Sequence, residues 1–124
     1  MVLELDIQVL NILQHLLAHR RGDILAVLDE LKLNYYFESI VAFEDVDRPK
    51  PEPDVYLKNA DNMHVDPDEC VVFEDSIAGL TAAKRAGMHC VALATTQPKE
   101  KLAEADLIID NFYDISVERL DELK

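Results

Sequence analysis

The stretch Cys70-Val71-Val72-Phe73-Glu74-Asp75-Ser76-Ile77-Ala78-Gly79 limits what this chain can fold into more than any other. An apolar run too short for a helix stops at two adjacent carboxylates. Small residues at Gly79, Ala82, Ala83, Ala86 and Gly87 then recur at helical spacing. The pattern predicts a buried strand running into a helix. In an open parallel sheet ligands gather at the carboxyl ends of the strands, where Glu74 and Asp75 fall. The same two residues also suit a plain structural role, an acidic first turn favoured by the helix dipole and capped by Ser76 or Asp75. Both readings stand at this level.

The remaining segments repeat the strand-helix alternation. Residues 1–21 read two ways: Val2, Leu5, Val9, Ile12, Leu13, Leu16 and Leu17 fit a helical stripe, while Leu3 to Val9 alternate as a strand does. We expect a strand-like or irregular start to about Val9 and a helix to about His19. His15 and His19 have the four-residue spacing of a shared metal site, but no third ligand accompanies them, and solvated helix histidines are the expectation. A helix over 23–33 should turn Ile24, Leu25, Leu28 and Leu31 inward. An aromatic turn, Tyr35-Tyr36-Phe37, and a strand over Ser39 to Phe43 follow. Beyond the central strand and helix, Gly87 fits a left-handed helix cap, His89 to Ala94 a strand and Thr95-Thr96-Gln97-Pro98 a loop. Residues 99–105 should form a helix, Leu107 to Ile109 a short strand and 116–123 a last helix. Strands and helices in this order imply a parallel sheet.

Pro49-Lys50-Pro51-Glu52-Pro53-Asp54 is the second informative stretch. Three alternate prolines fix φ and push the residues before them into extended geometry, so Lys50 has little backbone freedom. The segment is either a site that presents one ammonium rigidly or a surface loop with a lysine between prolines. Pro53 suits the first position of a helix reaching about Met63, with Asp54 at its positive end.

A chain of 124 residues with no internal repeat, low-complexity tract or linker is one small domain. Its net charge of −13 opposes binding to nucleic acid or anionic membrane and favours divalent cations. There is no run of eighteen apolar residues and no secretory-signal pattern at the start, so we expect no membrane span and a cytoplasmic protein. Cys70 and Cys90 lack close metal-ligand spacing and open apolar runs, which predicts buried free thiols.

Lys50-Pro51-Glu52-Pro53-Asp54, Val71-Val72-Phe73-Glu74-Asp75-Ser76-Ile77-Ala78-Gly79 and Ala82-Ala83-Lys84-Arg85-Ala86-Gly87-Met88, with Lys50 placed 24 residues before Glu74, resemble the haloacid dehalogenase superfamily. The likeness is to the branch of β-phosphoglucomutase and sugar-phosphate phosphatases and covers about residues 22–115. It implies a Rossmann-like three-layer α/β core with a parallel sheet, within a single domain over 1–124 whose first 21 residues are atypical. It implies that Lys50 steadies the nucleophile and the transferring phosphoryl group, that Glu74 and Asp75 help bind Mg²⁺, and that the substrate is a small phosphorylated metabolite. Asp54 and Ser76 match motif positions and take supporting roles, Ser76 orienting an acidic side chain and Asp54 capping its helix or holding Lys50. Charge neutralisation and alignment are what phosphoryl transfer needs, and two adjacent carboxylates in a cleft need a cation.

The family's opening strand ends in Asp-x-Asp, where the first Asp attacks phosphorus, and no such element is present. The nearest candidate is Leu3-Glu4-Leu5-Asp6-Ile7-Gln8, in which Gln8 takes the second Asp's place, and Asp6 is not expected to be a nucleophile. The strand ending in Ser or Thr before the helix over 23–33 and the cap domain are missing too. Pro49 replaces a glycine often found before the motif lysine. Two expectations follow: an incomplete core of a Mg²⁺-dependent phosphatase or phosphomutase, truncated and inactive by itself, or a non-catalytic descendant acting as a binding module. The gap left in the sheet predicts a homodimer or other self-association.

Overall fold

A computed structural model describes residues 21–34, 37 and 39–123. Their elements are α1 (Arg21–Glu30), α2 (Asp54–Met63), β1 (Val71–Glu74), α3 (Ile77–Arg85), β2 (His89–Leu93), β3 (Leu107–Ile109) and α4 (Val117–Asp121). The strands form one parallel sheet in the order β1-β2-β3, with Val71 opposite His89, Glu74 opposite Ala92, and Val91 opposite Leu107. The α/β architecture with a parallel sheet is the one expected.

Side-chain alternation along β1 and β2 builds two packed faces. On one face Val72, Cys90 and Ala92 meet Ala60 of α2, Leu80 and Ala83 of α3, and Leu102. The small residues of α3 explain its close approach: Ala82 and Ala83 have no exposed surface. On the other face Val71, Phe73, Val91 and Leu93 pack against Ile109, Phe112 and the C-terminal Leu120 and Leu123. β2 is the central strand and is buried from Cys90 to Leu93. Asp106 ties these layers, accepting from the Cys90 N–H at 2.7 Å and from Lys84 Nζ at 3.0 Å. α3 starts at a Ser76 cap and is followed by Gly87 at φ +77°, a left-handed backbone that suits glycine.

α1 stands apart. Ile24 and Leu28 pack with Ala42, Phe37 and Ile40 in a separate cluster. Between this cluster and the outer edge of β1 runs an apolar groove of about 300 Å³, lined by Ile24, Leu28, Val41, Val71 and Phe73 among others. No described strand pairs with that edge of β1.

Four expectations need correction. Residues 39–42 form no strand and lead into a 3₁₀ turn, Phe43–Asp45, because the groove separates them from the sheet and leaves them no ladder partner. Leu25 and Leu31 are 38% and 43% exposed instead of inward: the described residues pack on the Ile24–Leu28 side of α1, and Leu31 lies in the turn after its last residue, Glu30. The helix over 99–105 is a 3₁₀ turn, Lys99–Leu102, in which only Leu102 is buried, too little apolar surface to hold further turns. Cys90 is buried, but Cys70 is only half-buried, and neither is in a disulfide. The expectations for residues 1–20, including His15, His19 and Asp6, and for Tyr35 and Tyr36, lie outside the described residues.

Candidate functional site

The carboxyl end of β1 carries Glu74, and the chain turns at Asp75 and Ser76 into α3. Glu74 is the one charged residue among the described buried set, with its side chain 8% exposed. A buried carboxylate must be hydrogen-bonded and paired to stay ionised. Here the turn satisfies one oxygen: Oε1 accepts from the Asp75 N–H at 3.1 Å, the Ser76 N–H at 3.3 Å and the Ser76 hydroxyl at 3.1 Å. The other oxygen faces α2: Oε2 accepts from Lys50 Nζ at 2.7 Å and from the Tyr56 hydroxyl at 2.6 Å. Gly79 completes the cradle. A Cβ at that position would lie 2.0 Å from Glu74 Cδ, so only glycine leaves room for the carboxylate.

Burial alone would push the Glu74 carboxyl up, but the Lys50 ammonium, the Tyr56 hydroxyl and the Asp75 N–H override it and hold it at about 2. The same arrangement acts oppositely on its neighbours. Burial and the Glu74 carboxylate push the Tyr56 phenol well above its ordinary range. They also raise the Asp75 carboxyl above the usual value. The cation that a pair of adjacent carboxylates needs is therefore supplied to Glu74 by Lys50.

Lys50 reaches this position from the proline-rich turn, 28% exposed, and its ammonium lies 5.1 Å from the Tyr56 ring centroid. Two arginines brace the turn. Arg48 donates to Asp54 at 2.9 and 3.1 Å, and Arg85 of α3 donates to Glu52 at 3.2 Å. Asp54 thus neither caps α2 nor holds Lys50, as its charge is committed to Arg48; the residue before α2 is Pro53, without a side-chain cap. Ser76 both donates to Glu74 and accepts from the Gly79 N–H at 2.9 Å, capping α3. The loop after β2 leans on the site through Thr96, whose hydroxyl donates to the Asp75 carbonyl at 3.0 Å.

Mg²⁺ needs oxygen donors with free lone pairs. The two Glu74 oxygens accept from five donors, more than the roughly four lone-pair sites of a carboxylate, so none is left for an ion. The Asp75 carboxylate is partly exposed at the mouth of the site. Among the described residues no group of three or more His, Cys, Asp or Glu is placed to hold a metal. The set fits an ion held by one carboxylate together with water and substrate oxygens, a common arrangement for Mg²⁺.

Lys50, Glu74, Asp75 and Ser76 are brought together; Asp54 faces away, towards Arg48. Tyr56, Gly79 and Thr96 were not singled out for the site from sequence. Tyr56 lies six residues after Lys50, and nothing in that spacing reports a contact made with Glu74 across 18 residues. Gly79 carried a signal as one of the small residues of α3, which points equally to helix packing.

Comparison with known proteins places these features. A family model described as haloacid dehalogenase-like hydrolase matches residues 18–93. Validoxylamine A 7'-phosphate phosphatase of Streptomyces hygroscopicus is 42% identical over 76 residues, 61% of this chain and 36% of that protein. Fructose-1-phosphate phosphatase of Escherichia coli is 47% identical over 66 residues, 53% of this chain and 35% of that protein. The chain therefore spans about a third of the length of these curated relatives. Among solved structures, a haloacid dehalogenase hydrolase from Entamoeba histolytica aligns with a TM-score of 0.77 and 27% identity, over 86% of this chain and 50% of that one. A β-phosphoglucomutase from Clostridium difficile aligns with a TM-score of 0.73 and 28% identity, over 82% of this chain and 44% of that one.

Proposed function

We propose, from the premise that this chain belongs to the haloacid dehalogenase-like hydrolase family, that its β1 site engages the phosphoryl group of a small phosphorylated metabolite, a sugar phosphate foremost. The observation that carries the reading is the Lys50–Glu74 pair at 2.7 Å beside the partly exposed Asp75. Lys50 has three N–H donors and gives one to Glu74, which leaves donors for a phosphoryl oxygen. Glu74 fixes the ammonium and the turn together, and Asp75 is the residue to hold Mg²⁺ with water and phosphate oxygens. When bound, Mg²⁺ supplies charge neutralisation and alignment of the phosphoryl group. The Streptomyces and Escherichia coli relatives, phosphatases named for validoxylamine A 7'-phosphate and fructose 1-phosphate, support this substrate class.

No apolar run of the sequence ends in Asp-x-Asp, and Lys50 with a metal cannot replace an attacking carboxylate. The expected result is therefore binding without useful turnover. NMR titration with Mg²⁺ and inorganic phosphate should shift Lys50 and the amides of Glu74 to Gly79, whereas shifts spread evenly over the acidic surface would count against a specific site. Hydrolysis of small phosphate esters should stay near the uncatalysed rate. Activity that survives purification and disappears in Asp6→Ala would overturn the inactive reading. The second reading, a non-catalytic interaction module, is favoured by the apolar groove along the edge of β1 with which no described strand pairs.

A further inference from the structure

The phosphoryl-binding reading makes the direction of the Lys50 ammonium decisive. The proline-rich turn fixes its backbone, yet four methylene groups separate that backbone from the charge. A side chain of this length loses much rotamer freedom when held in one place. Something must hold the far end, and Glu74 Oε2 offers one point of attachment, around which an ammonium can still swing.

Tyr56 supplies the second. Its hydroxyl donates to the same Oε2 at 2.6 Å, and the Lys50 ammonium lies 5.1 Å from the centroid of its ring. Those two contacts do different things. The hydroxyl fixes where Oε2 points and keeps a donor on it whenever Lys50 leans outward. The ring attracts the ammonium through its negative face. The phenol is held in turn by its place in the first turns of α2, against the core cluster of Ala60, Val72 and Leu80.

We propose that Tyr56 is a positioning residue for Lys50, acting through Glu74 Oε2 and through its own ring to aim the remaining ammonium donors at the mouth of the site. The proposal rests on the phosphoryl-binding reading for its purpose, but its geometry is tested without any ligand.

The test is the side-chain ammonium signal of Lys50 in the ¹⁵N-labelled 124-residue chain, assigned by its loss in Lys50→Arg. In the wild type this signal should be protected from solvent exchange relative to the exposed Lys99. Tyr56→Phe removes only the hydroxyl and should speed the exchange by about tenfold or more, the size of one hydrogen bond to a charged group. Tyr56→Leu removes the ring as well and should also free the ammonium to rotate. Backbone amide spectra and denaturant midpoints report folding separately. Variants that lose stability while the Lys50 signal stays as in the wild type would show a packing role only and overturn the proposal. So would a wild-type Lys50 that exchanges as fast as Lys99. Inorganic phosphate titrated into the same samples separates the two claims. A protected, Tyr56-dependent ammonium with no response to phosphate keeps the positioning role and refutes the binding reading.

Discussion

Glu74 is the residue on which the site turns, and its environment makes two predictions. A carboxyl held at about 2 against an ordinary 4.5 stabilises the folded state above the ordinary value, and that contribution is lost as pH falls from about 4.5 towards 2. The loss should be on the order of 3 kcal/mol. Urea unfolding across this range should show that acid limb in the wild type, and Glu74→Gln should flatten it. The second prediction concerns Gly79, where an added Cβ meets Glu74 Cδ at 2.0 Å. Gly79→Ala should cost about 1–3 kcal/mol by overpacking and should release Lys50, visible as faster exchange of its ammonium. A Gly79→Ala protein with unchanged midpoint and unchanged Lys50 signal would contradict the contact. Much of this was legible in the sequence: Lys50, Glu74, Asp75 and Ser76 stand out by residue type and spacing. What was not legible is how charge is divided among them. Adjacent carboxylates look alike on paper, and only burial shows that Glu74 turns inward to Lys50 while Asp75 stays partly exposed.

At the scale of elements, the strand-turn-helix unit β1–α3 and the strands β2 and β3 follow from apolar runs bounded by turn residues. Their side chains pack on both faces of one sheet, so the pattern and the environment agree. The misreadings fall where the described residues supply no neighbour. Residues 39–42 have strand-forming side chains, two of them buried, yet a strand requires a partner backbone and theirs is across an open groove. Leu25 and Leu31 fit a helical stripe wider than the face that α1 covers. Periodicity says which side chains share a face, and not how much of that face meets another element. The central strand gives the corresponding prediction. Leu93 is 1% exposed between Ile109 and Phe112, so Leu93→Ala should destabilise by about 2–5 kcal/mol, whereas Leu25→Ala on the exposed flank of α1 should stay within about 1 kcal/mol. Denaturation of the two variants side by side checks the contrast.

For the whole molecule, the outer edge of β1 and its groove set the behaviour in solution. Unpaired strand edges invite pairing with another chain, and each buried unpaired backbone group costs about 1–3 kcal/mol. The 124-residue chain should therefore self-associate, with a sedimentation coefficient that rises with concentration. Deleting residues 1–9, which carry the alternating Leu3 to Val9 pattern, should change that profile or the melting temperature. A monomer at every concentration, unaltered by the deletion, would remove the expectation. A different whole-molecule property follows from the thiol at the middle of the sheet. Cys90 has no exposed surface, and burial with the Glu74 and Asp106 carboxylates pushes it up to about 12, while Cys70 lies half-buried on the same face. Only a thiolate in contact with solvent reacts with a disulfide reagent. Labelling should thus run in two phases of one equivalent each, and the slow phase is a clock. It ticks each time the sheet opens and records, without any probe added by mutagenesis, how often the protein breathes.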